Sequence, residues 1–451
     1  MVLTDKVLIR LNATRGVNSF KDIDPNHSAI GCAGCHGGVS QVDAADDTSA
    51  YRAAHTGMLR DPSAIGELGC SGSSCHGEIV TRNETSMHSN LWGEKAHVAL
   101  RNGYESFNDC PAEIQDGYTN DCASCHTTCG QCHISRPNAA GGGFLEQRVG
   151  YSHKFLATPS EENVCTACHG SRVGDDWNAN QERVPGNVPD VHNEYGLTCL
   201  DCHSEDLHGE GPSDAQYTSR YEVSGLPQCI DCHAADRDDN IYHTQHWPNA
   251  DATDGSDLSC YACHSQQYNN CNTCHAGTWK SEYEPDNSGE YRVYPLFKMG
   301  LNPNYGIEDK PHNNSEYVAV RHVPVSPDAF REWGIATMPN YSAKETWKYT
   351  SPHNIKRWTD RTYVTEADSG LWVDVNPSAA LNSDNGYCFL KCHYNDGTAT
   401  LGTLTHVAIN ADVFVTQADL ESDVTGEDLS DEIEANQKVL VNDSFPCGAC
   451  H

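Results

Sequence analysis

Residues Cys122–His133 read CASCHTTCGQCH and place four cysteines and two histidines in twelve residues. The stretch is one pattern used twice: Cys122, Cys125 and His126 form CxxCH, and Cys129, Cys132 and His133 form it again. A zinc site wants two cysteine or cysteine/histidine halves separated by a loop, and it has no need for a histidine directly after the second cysteine. Covalent haem attachment does need it. Both thiols add to porphyrin vinyl groups and the adjacent histidine reaches the iron, so the three residues must share a tight turn.

The same motif recurs at Cys32/Cys35/His36, Cys165/Cys168/His169, Cys199/Cys202/His203, Cys229/Cys232/His233, Cys260/Cys263/His264, Cys271/Cys274/His275 and Cys447/Cys450/His451, nine copies in all. Chance would supply roughly 0.06 copies at this cysteine and histidine content, so the pattern is selected for haem attachment. Two wider versions point the same way: Cys70-SGSS-Cys75-His76 and Cys388-FLK-Cys392-His393. Together they predict eleven haem c groups. Of the 23 cysteines, 22 lie in these motifs and only Cys110 is left over, which excludes a disulfide scaffold. Cys110 reads as a buried free thiol or a partner in an irregular linkage, and receives no role.

Eleven of the 24 histidines belong to motifs. The spare ones are His27, His55, His88, His97, His153, His192, His208, His243, His246, His312, His322, His353 and His406, and eleven irons with histidine on both faces need about eleven of these thirteen. A lone histidine is ordinarily a surface or satisfied core residue; thirteen beside eleven expected irons favour ligation. With only five methionines, Met/His ligation cannot be the rule. Bis-histidine iron is low-spin, lacks an open position and sits at the lower-potential end, which suits electron transfer and leaves no catalytic residue to name.

Spacing gives proximity. The three residues from His126 to Cys129 span at most about 10 Å, so macrocycles attached there lie nearly in contact. CYACHSQQYNNCNTCH, Cys260 to His275, is a longer version of the same device. At about 41 residues per cofactor no segment can bury an adequate apolar core alone, so the porphyrins must supply it. The expected fold is mostly irregular loops with short α-helices and few strands, wrapped around a stacked haem chain. Helical turns are expected around SHKFLATPSEENVCTACH and VHNEYGLTCLDCH.

The motifs divide the chain into a haem-dense region, 1–275, with nine of them, a haem-poor aromatic-rich stretch, 276–387, with none, and a C-terminal region, 388–451, with two. The middle stretch could be a small independent domain; its three spaced histidines favour a wrapping segment that returns ligands to haems attached elsewhere. The run ADLESDVTGEDLSDEIEANQK is an acidic surface stretch.

The net charge of −34 argues against nucleic-acid binding and favours cationic or metal-bearing partners. No stretch approaches the ~18 apolar residues of a membrane span. Haem attachment of this type occurs outside the cytoplasm, so the expected location is extracellular, cell-surface or periplasmic, with a signal peptide removed before residue 1.

The CxxCH array, the pairs CHTTCGQCH and CHSQQYNNCNTCH, and HxxxGLTCxDCH from His192 to His203 resemble the multihaem c-type cytochromes of respiratory bacteria and archaea that reduce extracellular acceptors. Within that class the chain is similar to the extracellular cytochrome nanowires. The resemblance implies filaments of many copies, passing electrons between terminal haems to redox partner cytochromes, extracellular metal oxides or other acceptors. It also implies that His27 or His55 could serve a neighbouring copy's iron, the plain alternative being an iron of its own chain. A discrete soluble shuttle is the other electron-transfer reading. No CxxCK motif occurs, which counts against a reductase of the nitrite-reductase type.

Overall fold

Two cysteines three apart and a histidine one further on fall on one face of an α-helical turn, because residues i, i+3 and i+4 are surface neighbours. The chain uses that coincidence repeatedly. The structure, a computed structural model, describes residues 26–27, 30–38, 49, 52–53, 55–59, 61–64, 70, 75–123, 128–137, 141–142, 155–203, 207–209, 226–238, 243, 246, 258–271, 293–302, 315, 317–322, 329–339, 347–359, 361, 364–365, 372–373, 393–395 and 407–409.

Among these, α1 (Gly31–His36) carries the first motif, and α2 (Gly77–Asn83), α3 (Met87–Asn90), α4 (Trp92–Arg101) and α5 (Ala112–Asp121) follow. Next come α6 (Cys129–His133), α7 (Thr166–His169) behind a π-helical turn Glu161–Cys165, α8 (Asp175–Asn178), α9 (Val191–Glu194), α10 (Cys199–Cys202), α11 (Cys229–His233) and α12 (Tyr261–His264), of which all but α8 and α9 hold motif residues. Two of them share a start signal. In Thr198-CLDC and Gln228-CIDC the aspartate three residues into the helix accepts a bond from the backbone N–H of the capping residue, Asp201 from Thr198 at 2.6 Å and Asp231 from Gln228 at 2.8 Å. Each closes an otherwise orphaned donor.

The strands are equally short and gather in sheets of two or three. β1 (Tyr268–Cys271) pairs antiparallel with β2 (Val293–Leu296). β3 (Lys298–Leu301), β4 (Tyr317–His322) and β5 (Trp347–Tyr349) form an antiparallel sheet in that order, with Val320 opposite Tyr349. β6 (Val364–Thr365) with β7 (Trp372–Val373), and β8 (His393–Asn395) with β9 (Val407–Ile409), are two-stranded ladders. Short helices and small sheets joined by much irregular chain are the expected secondary structure. No helix among the described residues is long and apolar enough to cross a membrane.

Apolar burial is divided in two. The first cluster joins α4 and α5 through Leu91, Val98, Ala99, Phe107, Ile114 and Tyr118. Cys110 belongs to it, 4% exposed, its thiol donating to the Ser106 carbonyl at 3.7 Å; burial, then Asp109, push that thiol up to about 11. The leftover cysteine is thus a core residue. The second cluster joins α12 to the sheets through Ala262, Tyr268, Phe297, Met299 and Ala319. Tyr268 pins β3 and β4 together, its hydroxyl 2.9 Å from the Lys298 carbonyl and 2.6 Å from that of Val320.

Segment 329–339 docks on α5. Trp333 donates to Asp121 at 2.5 Å and packs with Phe330 directly over Gly117, where a Cβ would stand 2.2 Å from the indole. Gly117→Ala gains helix propensity but must displace that ring base. The expected outcome is a net loss of about 1–3 kcal/mol, as for other overpacked contacts, read in a denaturant melt.

Candidate functional site

Among the described residues, six pairs of histidines each join one motif histidine to one spare histidine. Ring centres lie 6.2 Å apart for His76 and His27, 5.9 Å for His133 and His208, 6.2 Å for His169 and His88, 6.3 Å for His203 and His353, 6.1 Å for His233 and His192, and 6.1 Å for His264 and His243. Stacked ring contact is closer, as for His27 on Phe155 at 4.0 Å, although edge contacts such as Tyr268 on Phe297 reach 6.0 Å. Two imidazole nitrogens ligating one metal ion from opposite faces at about 2.0–2.1 Å, each about 1.1 Å from its ring centre, set the ring centres about 6.2–6.4 Å apart. All six pairs lie close to that distance. No group of three or more His, Cys, Asp and Glu gathers among the described residues as it would around a bare ion.

Hydrogen bonds fix the tautomer. His36 Nδ1 bonds to the Leu59 carbonyl at 2.7 Å, His133 to Leu156 at 2.6 Å, His264 to Lys356 at 3.0 Å, His243 to Asp236 at 2.5 Å and His353 to Ser351 at 2.8 Å. A carbonyl can only accept, so each Nδ1 carries the proton and each Nε2 keeps a lone pair for a metal. His192 and His233 bond instead to carboxylates, Asp190 at 2.9 Å and Asp236 at 2.8 Å. Burial lowers His88, His203 and His264 and holds His353 down to about 4, while the bond to Asp190 raises His192.

His97 is the opposite case. It lies on α4, 3% exposed, and its Nε2 accepts from Arg101 Nε at 2.9 Å, so the nitrogen that would face an iron is engaged inside the helix. Of the thirteen spare histidines it is one that serves the core. His55 stands beside the first motif: its carbonyl accepts from Met58, which bridges Gly37 next to His36. The His246 carbonyl accepts from Leu258, one turn before Tyr261. His27 faces His76 of the same chain.

The thiols give the motifs an order in space. Burial, then the neighbouring Cys75, raise Cys35, which sets motif one beside motif two. Hydrogen bonding with Cys70 lowers Cys129 to about 7, that with Cys199 lowers Cys165, and that with Cys229 lowers Cys260. Burial and then Cys232 raise Cys202, linking the motifs of His203 and His233. After burial, His203 and then His208 act on His88, which joins the His133–His208 and His169–His88 pairs. Among the described motifs, those of His36, His76, His133, His169, His203, His233 and His264 are successive neighbours, the motif of His126 lying outside the described residues. First cysteines meet first cysteines in three of the junctions, and second meet second in two.

Cys122, Cys132, Cys168 and Cys263 complete the described motif cysteines. Cys168 sits half-buried on α7, immediately before His169, and Cys132 is placed in the same way on α6 before His133. Cys263, on α12 before His264, packs against the second apolar cluster, and its carbonyl accepts from the Thr359 hydroxyl at 2.5 Å. Cys122 borders the first cluster at the end of α5. The sequence assigns all four to thioethers. What the structure adds for Cys168 and Cys263 is a helical turn shared with the motif histidine, with no disulfide among the described cysteines to compete for the thiols.

Several positioning residues carry no motif of their own. Glu161 bridges the fifth and sixth motifs, accepting from Trp177 Nε1 at 2.9 Å and from the Cys199 N–H at 3.1 Å. Ser63, held by Asp61, accepts the Gly130 N–H at 2.8 Å and so caps α6. Ser86 ties the turn of His88 to that of His208 through the Leu207 carbonyl at 2.7 Å, and Gly209 (φ +81°) lies so close to α2 that a Cβ would meet the Arg82 carbonyl at 2.9 Å. The segment 351–356 serves three successive sites, through His353 itself, the Lys356 carbonyl on His264, and the Ile355 N–H on Asp190 at 2.5 Å. Asp190-x-His192 and His233-x-x-Asp236 were visible as spacings in the sequence. The carbonyl partners were not, since any residue has one.

Cys125, His126, His153, Cys274, His275, His312, Cys388, Cys392, His406, Cys447, Cys450 and His451 lie outside the described residues, as do the side chains of Cys32, Cys271, His322 and His393. No family model, curated protein or solved structure matches the chain.

Proposed function

We propose that this chain is a multihaem c-type cytochrome, with haem c on eleven motifs, that conducts electrons along closely spaced bis-histidine sites to acceptors outside the cell. The observation that carries the reading is the set of six motif–spare histidine pairs at one metal-bridging distance. Haem c bound between such histidines supplies one-electron chemistry at a low-spin iron without an open position. The cysteines anchor, the histidine pairs ligate, and the carbonyls and carboxylates behind them hold each ring in the ligating tautomer. Paired ligation favours an electron carrier over a reductase. The row of neighbouring thiols supports a single-file route in chain order.

On this reading the protein is exported and hands electrons to partner cytochromes, extracellular metal oxides or further copies of itself. The filament rests on the resemblance of its motifs to nanowire cytochromes. Intact-protein mass spectrometry of material from the native source is expected to find eleven covalently bound haems, and electron microscopy to find uniform filaments. A haem-free chain would overturn the reading; haem-loaded single particles would leave a soluble or surface shuttle.

A further inference from the structure

Two adjacent histidine pairs have opposite surroundings. In the His192–His233 pair both Nδ1 atoms donate to carboxylates: Asp190 Oδ1 at 2.9 Å, with an aspartate side chain 2% exposed, and Asp236 Oδ2 at 2.8 Å, with an aspartate side chain 53% exposed. In the neighbouring His243–His264 pair both donate to neutral carbonyls, those of Asp236 and Lys356. A buried guanidinium stands by the second pair as well. Arg361, 4% exposed, donates to the Ala262 carbonyl at 2.8 Å and to that of Ser265, on either side of His264. The other nearby cation, Lys356, is ion-paired with Glu194 at 2.5 Å, so its charge is largely offset.

A carboxylate behind an imidazole draws its Nδ1 proton away, makes Nε2 a stronger donor and adds negative charge, and both effects favour ferric over ferrous iron. Neutral carbonyls lack that charge, and a fixed guanidinium favours the less positive ferrous state. We infer that Asp190 and Asp236 make the His192–His233 site the lower-potential member of the pair it forms with the adjacent His243–His264 site, placing an uphill step for electrons travelling from the latter to the former. Asp236 joins the two sites physically, its side chain on His233 and its carbonyl on His243. This rests on the proposed haem ligation and assigns the aspartates as positioning and tuning residues.

The test is a potentiometric titration of the full haem-loaded chain, followed by electron paramagnetic resonance, for wild type, Asp190→Asn and Asp236→Asn. Each substitution is expected to shift the ferric preference of one low-spin haem by on the order of tenfold, the size of effect such partners have on metal binding, about 59 mV upward for a one-electron couple. Both must move the same signal, although the two aspartates lie on separate segments, which a merely structural role would not produce. His243→Met marks the neighbouring haem through the potential-raising ligand, and the wild-type form of that signal is expected to titrate above the one the aspartates control. Unmoved potentials in chains of full haem number, or the reverse order, would overturn the inference. Should Asp190→Asn impair folding, the exposed Asp236→Asn retains the test. A chain without covalent haem would instead sink the proposed function.

Discussion

Replacing His353 by alanine is expected, if the chain carries the proposed haems, to turn one low-spin haem high-spin while the others keep their spectra. His353 faces His203 at 6.3 Å between ring centres, is held in the ligating tautomer by the Ser351 carbonyl and is kept neutral by burial, down to about 4. Its removal takes one of the two axial bonds from that iron and leaves the thioether anchors Cys199 and Cys202 in place. A high-spin ferric signal in electron paramagnetic resonance, abolished by added imidazole, reads the change directly. The matched control is His97→Ala. That residue has the same side chain and is more deeply buried, yet its Nε2 accepts from Arg101 within α4. It is expected to give no high-spin signal and to cost about 1–3 kcal/mol in stability through the lost buried hydrogen bond. A high-spin haem in the His97 variant, or none in the His353 variant, would reverse the assignment of ligand and core residue.

The second large effect concerns the buried ion pair that joins α8 to β4. Arg321 Nη2 stands 3.0 Å from Asp176 Oδ2, with side chains 8% and 1% exposed, and the guanidinium lies 5.3 Å from the Tyr268 ring centre. Arg321→Met strands a carboxylate where water cannot reach it, at an expected cost of about 3–5 kcal/mol. Burial already pushes Asp176 up to about 7 against the pull of Arg321; without the arginine it rises further. A carboxyl whose folded pKa lies above its unfolded value binds more protons when folded, so the variant loses stability as pH rises through the interval between the two. Wild type shares the loss up to about pH 7, so the variant's deficit relative to it is expected to be nearly flat between pH 4 and 7 and to grow as pH rises above 7. Denaturant melts across that range check the sign, and the double variant Asp176→Leu with Arg321→Met is expected to recover much of the loss, because no buried charge remains.

The linked positions explain why this ion pair bears on the row of sites. Asp176 is adjacent to Trp177, whose carbonyl accepts the Asp190 N–H and whose indole donates to Glu161. Asp190 in turn holds His192 and Ile355. Damage at Asp176 therefore reaches the ligands of three neighbouring pairs through a short series of hydrogen bonds.

Reading the residues in order was enough to mark each candidate anchor, because the motif is local: two thiols and a histidine within about one turn, which α6 and α11 hold whole in helical form. The shortness of the helices was legible too, since the apolar periodicities are short, and so was the isolation of Cys110 from the motif pattern. The pairing of histidines was not. His203 and His353, or His133 and His208, are brought together by long-range packing, and thirteen spare histidines look alike until their Nδ1 partners are seen. His97 shows the limit most clearly: nothing in GEKAHVALR says that Arg101, one turn on, takes the nitrogen a metal would need. The same holds for the carboxylates behind His192 and His233, whose effect depends on hydrogen bonds of about 3 Å that only the folded chain creates. Sequence alone set the motifs and the spacing of thiols and histidine within each. Tertiary structure decided which distant ring completes each site and which charge stands behind it, because those contacts follow the folding of the whole chain and not the spacing within a turn.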